Sequence, residues 1–160
     1  MRLKNTTDIP DALVREVIRF VKPPGCGGVT VKLKNSQSDY AGSAWGRRLV
    51  IVRIGGAKRF PVRRAARDGY LSFWVFNRIE ALVAVMAHEL RHVWQAYHPR
   101  GWRVWGARGQ FSERDADAYA LRTLRAWRRH GSRQNVCRPI TVRDLRPLAQ
   151  RGVPKALVFS

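Results

Sequence analysis

The sequence predicts an α+β domain, with a small mixed or antiparallel sheet packed on two long helices. Three segments carry apolar residues at helical spacing, and short β-branched runs stand between the first and the second. No internal repeat or low-complexity linker divides the 160 residues, which suffice for one domain with a buried core. The expectation is therefore a single domain over 1–160, its core at about 29–130.

Residues 9–21, IPDALVREVIRFV, place Ile9, Leu13, Val14, Val17, Ile18 and Val21 on one helical stripe. Asp8 is positioned to cap this helix, Pro10 suits its first turn, and KPPGCGG ends it. VTVKL at 29–33 and RLVIVRI at 48–54 read as strands. KRFPV at 58–62 is a weaker strand, restricted to an edge by Pro61. A long, mostly apolar helix is expected over 74–97, ended by HPRG, and a third over about 113–130. Ser112 and Asp115 give the third helix a capping-box-like start, and Gly131 its stop. The Gly- and Trp-rich loop 98–111 joins these two helices, either gating what lies between them or covering their ends. Residues 132–160, with Pro139, Pro147 and Pro154, are expected to wrap the surface.

Composition narrows the function classes. No stretch of 18 uncharged apolar residues occurs, and MRLKNTTDIP lacks the apolar core of a secretion signal. The expectation is an intracellular, cytoplasmic protein with no membrane partner. Cys26 and Cys137 have no CxxC partner and read as free thiols. The formal charge of +20 arises from 31 basic residues, 25 of them Arg, against 11 acids. A field of that size attracts polyanions, either nucleic acid or an acidic protein. Gly25 to Gly28 do not make a phosphate loop, because no Gly-Lys-Ser/Thr follows.

The chemistry-bearing segment is HELRHVWQ, which follows directly on the apolar Leu82, Val83 and Val85. His88 and His92 are four apart, so in a helix they lie one turn apart on one face and can share one Zn²⁺. Glu89 is about 100° around the helix, beside such an ion rather than on it. In SERDADAYALRTLRAW, Glu113 and Asp117 fall on the same stripe as Ala116, Ala120 and Leu124. Asp115 falls about 160° away, among solvent-facing positions. Two ionised carboxylates on a packing face are costly unless a cation joins them. A metal bound by Glu113 would serve, with Asp117 accepting from the far nitrogen of a ligand histidine. Arg91 offers another way to neutralise them, and packed histidines partnered by Glu89 would need no metal.

HELRH, 20 intervening residues and then ERDAD together give HExxH…ExxxD, which resembles the gluzincin group of zinc metallopeptidases, in particular its minimal members. The likeness covers roughly 75–130. SAWGRRLVIVRIG upstream resembles part of that group's sheet, including the strand along which substrates lie. The resemblance implies a zincin-like fold, Zn²⁺ held by His88, His92 and Glu113, Glu89 as general base, Asp117 in support, and a protein or peptide substrate. The group's oxyanion-stabilising residue has candidates in Tyr70, Tyr97, His98 and Tyr119. The alternative from another class is a basic nucleic-acid-binding protein whose zinc site is only structural.

Overall fold

The computed structural model describes residues 1–65, 72–98 and 113–131. The elements run β1 (Arg2–Asn5), α1 (Asp11–Val21), β2 (Thr30–Asn35), β3 (Tyr40–Trp45), β4 (Leu49–Ile54), β5 (Val62–Ala65), β6 (Ser72–Val75), α2 (Arg78–Tyr97) and α3 (Glu113–Gly131). This is a small α+β fold. Met1–Trp127 forms one compact unit; Arg128–Ser160 forms a second, described only over the last turn of α3. The expected loop beyond His98, the Ser112 cap, Tyr70, Cys137 and the 132–160 wrap lie outside the described residues.

Four strands form a mixed sheet in the order β1-β2-β4-β3, in which β1, β2 and β4 are parallel and β3 runs antiparallel to β4. β5 and β6 make a separate antiparallel pair. Alternation along the strands sends Val31, Leu33, Val50, Val52 and Ile54 into the core, all fully buried. They pack beneath α2, whose Leu82, Val83, Met86, Leu90 and Val93 are equally buried. Val14, Val17 and Val21 of α1 close the core from the side. α2 is thus a central helix, covered on nearly every side from Glu80 to Ala96, and any polar residue on it must find a partner.

Several element boundaries differ from the expectation. α2 begins at Arg78 rather than at 74, because Phe73 to Val75 belong to β6. Asn77 sets that start: its side-chain oxygen accepts from the Ile79 and Glu80 amides at 3.0 and 2.9 Å, and Glu80 accepts from the Phe76 amide at 2.9 Å. Asp8 does not cap α1. It pairs bidentately with Arg78 at 2.6 and 2.7 Å, tying the approach of α1 to the first turn of α2. The 58–62 run is a single 3-10 turn, Ala57–Arg59, and the strand starts only after Pro61. β1, β3 and β6 are additional strands.

Candidate metal centre

His88 and His92 project from the middle of α2, and Glu113 from the first turn of α3. The three side chains form a triangle in which each imidazole faces a different oxygen of the Glu113 carboxylate. His88 Nε2 and His92 Nε2 are 3.0 Å apart, His88 Nε2 and Glu113 Oε2 3.2 Å, and His92 Nε2 and Glu113 Oε1 3.3 Å. Ligands about 2.0–2.1 Å from a tetrahedral centre lie about 3.3 Å from one another, and these pairwise separations are of that size. The three residues can hold a metal ion.

What stands behind the imidazoles decides which of their atoms are free. Asp117 Oδ1 lies 2.9 Å from His88 Nδ1, though off the line of a well-formed hydrogen bond. A carboxylate only accepts, so it favours the proton on Nδ1 and leaves the Nε2 lone pair facing the triangle. His92 is fixed one step further back. Its Nδ1 is 2.9 Å from Gln95 Oε1, and Gln95 Nε2 donates to Asp115 Oδ2 at 3.0 Å. Because Asp115 only accepts, it orients the Gln95 amide, and the amide oxygen then requires an N–H at His92 Nδ1. Both Nε2 atoms therefore present lone pairs to each other and to the Glu113 carboxylate. Acceptors paired at 3.0–3.3 Å repel unless a cation or a proton sits among them.

The electrostatics agree. Burial disfavours the charged imidazole of His88, but the Asp117 and Glu113 carboxylates more than offset this and push it up to about 9. Hydrogen bonding to His88 and His92 holds the Glu113 carboxyl well below its usual range. In the metal-free protein the raised His88 value contributes stability in full below pH 6.5, lost as pH climbs through about 9. Glu113 contributes above its ordinary 4.5 and loses that contribution as acid is added. Binding a metal must expel the proton. Affinity for a divalent metal, measured against a competing chelator, is expected to rise about tenfold per pH unit up to about pH 9 and then level off. A flat profile over that range would show that no proton occupies the site.

Glu89 is not one of the three converging residues; it is buried, with its side chain against β3. Burial pushes its carboxyl up, against the opposing pull of the two histidines. β3 passes so close that a Cβ on Gly42 would meet Glu89 Cγ and Oε1 at 2.5 Å and Val85 Cγ2 at 2.6 Å. Only glycine leaves room for this carboxylate. Arg64 of β5 reaches the same region, 3.8 Å from Asp117 Oδ1 and 5.5 Å over the Tyr40 ring.

Sequence reasoning anticipated neither Gln95 nor Asp115 at this centre. Asp115 is not solvent-facing: Arg91 clamps it at 2.6 and 3.1 Å, and only 18% of its side chain is exposed. Arg91 is thereby engaged with Asp115. The one available signal was that Gln95 follows His92 by three, which places it on the same face of the helix. The described candidates for an oxyanion partner are all turned elsewhere. Tyr97 donates to the Gly27 carbonyl at 3.2 Å, His98 Nδ1 lies 2.8 Å from the Trp94 carbonyl, and Tyr119 donates to the Val21 carbonyl at 2.9 Å. Cys26 is buried and free, with its thiol pushed up by burial.

The fold and site together define an α+β protein with a three-residue cluster able to bind a metal, and no helix among the described residues is long and apolar enough to cross a membrane. Comparison of the chain with family models, with curated proteins and with solved structures finds no match.

Proposed function

We propose that the chain is a zinc-dependent endopeptidase of the gluzincin type, with a zincin-like arrangement of its sheet, central helix and glutamate helix. One observation carries the reading: two imidazoles and the Glu113 carboxylate converge at separations of the size a tetrahedral site requires, while a second carboxylate, Glu89, stands buried beside them and outside that set. Two imidazoles and a carboxylate suit zinc, and three protein ligands mark a catalytic rather than a structural site. Zinc bound there would polarise a carbonyl and bring the pKa of a water down to about 7.

The chain's own residues supply the rest. His88, His92 and Glu113 hold the ion, and Asp117 and Gln95 fix the two imidazoles with Nε2 inward. Glu89, its carboxyl raised by burial toward working pH, takes a proton from the attacking water and returns it to the leaving amine. β3 pairs only with β4 among the described residues, so its other edge can take an extended peptide beside Glu89. A purely structural zinc site has no use for a buried carboxylate held in this place, which favours hydrolysis over that alternative.

The test is metal analysis paired with digestion of a peptide library. About one zinc per chain is expected, with cleavage abolished by a chelator and restored by added zinc. Cleavage that persists in chelator, or a chain that takes up no zinc, would overturn the reading.

A further inference from the structure

We propose that the outward face of the four-stranded sheet binds single-stranded nucleic acid. That face is the one turned away from the buried core beneath α2. Because Val31 and Leu33 point inward, Lys32 and Lys34 point out; because Val50, Val52 and Ile54 point inward, Arg53 points out. Register adds β1, where Lys4 lies opposite Lys32 and Arg2 opposite Thr30. Five cations therefore share one face.

Their arrangement is unfavourable for the fold alone. Lys4 faces Lys32, and Lys34 faces Arg53, directly across neighbouring strands about 4.8 Å apart. Like charges in opposed positions destabilise a sheet. No acidic residue occurs in any of the four strands, and none of these five cations has an ion pair among the described residues. A polyanion laid across the face would turn that repulsion into attraction. Lys32 and Lys34 are about 6.6 Å apart along β2, a step that an extended polynucleotide can match phosphate by phosphate.

The far end of the face favours a nucleic acid over an acidic polypeptide. Trp45, opposite Leu49 on the edge strand, is 65% exposed. Its indole N–H donates to Ser43 Oγ at 3.3 Å, so the ring's polar edge is satisfied and its surface is open for stacking. Half-buried Leu49 and Ile51 lie between Trp45 and the lysines. A flat sheet with an aromatic beside rows of cations can stack unpaired bases while it neutralises their backbone.

Anisotropy of a fluorescein-labelled oligothymidylate with the full chain tests this. Binding is expected to weaken with salt at a log–log slope of about −3.5 if all five cations engage. K4Q/K32Q/K34Q/R53Q should weaken binding by at least about tenfold and reduce that slope by about 3. Relief of repulsion should keep its melting temperature at or above the parent's. W45A should lose roughly five- to a hundredfold in affinity with the slope unchanged. R15Q/R19Q/R122Q/R125Q removes equal charge from exposed helix positions and should bind like the parent. Chelator should have no effect, since this face is separate from the metal centre. The proposal is overturned if the helix variant weakens binding as much as the sheet variant does. It is also overturned if W45A binds like the parent and polyglutamate competes as well as the oligonucleotide.

Discussion

Glu89→Gln is expected to leave zinc binding at the parental level and to lower peptide hydrolysis by about 100- to 10,000-fold, the range over which a positioned base acts. The substitution keeps size and polarity but removes the ability to accept a proton. Metal binding should survive because the Glu89 carboxylate is not one of the three converging donors. The pH profile adds a second signature. Only the ionised carboxylate can take a proton, and burial raises its pKa, so activity should fall on the acid side at a higher pH than an ordinary glutamate would give. Gly42→Ala probes the same group from the opposite wall. Its new methyl would overlap Glu89 and Val85, so the carboxylate must move, and activity should fall while zinc is retained. Parental hydrolysis by Glu89→Gln, measured on zinc-loaded protein, would remove Glu89 from the mechanism.

The two sides of this wall differ in how visible they are in the sequence. α2 is readable because its constraint is local: apolar residues at helical spacing, with two histidines one turn apart. Asp117 is readable for the same reason, since a carboxylate on an apolar stripe is conspicuous; Glu113, expected on the same packing face, is instead 55% exposed at the start of α3. β3 is different. Tyr-Ala-Gly-Ser-Ala-Trp has neither β-branched residues nor clean alternation, and its central residue answers to Glu89 rather than to strand propensity. A contact with a residue nearly fifty positions away leaves no periodicity to detect. Asp115 escapes in a similar way. Its own helix wheel turns it from the Glu113 stripe, but Arg91 and Gln95 of α2 reach across to it, and a wheel drawn for one helix cannot contain the other. The early start expected for α2 has a simpler cause: Phe73 to Val75 are apolar enough to continue the pattern, and the Asn77 cap interrupts it.

The arrangement behind His92 yields the second large effect. Gln95→Met and Asp115→Ala are each expected to lower zinc affinity by about 10- to 100-fold, typical for groups that orient a ligand histidine. Gln95 is fully buried, and methionine conserves its volume while removing both the oxygen and the nitrogen of the amide, so the change addresses orientation more than packing. Without the Gln95 oxygen at Nδ1, His92 can place its proton on Nε2, and the lone pair facing the metal is lost from part of the population. In this arrangement Asp115 acts on His92 by orienting the Gln95 amide. The double variant should therefore bind zinc no more weakly than Gln95→Met alone, a non-additivity that a direct electrostatic effect of Asp115 on the ion would not produce. Asp115→Asn separates charge from geometry, since its side-chain oxygen can still accept from Gln95 Nε2 and should keep affinity near the parent's. Asp115→Ala also leaves Arg91 without the carboxylate that clamps it, so melting curves must accompany the zinc titrations. Strictly additive losses, or an Asp115→Asn variant as weak as Asp115→Ala, would show that Asp115 acts through its charge and not through the amide.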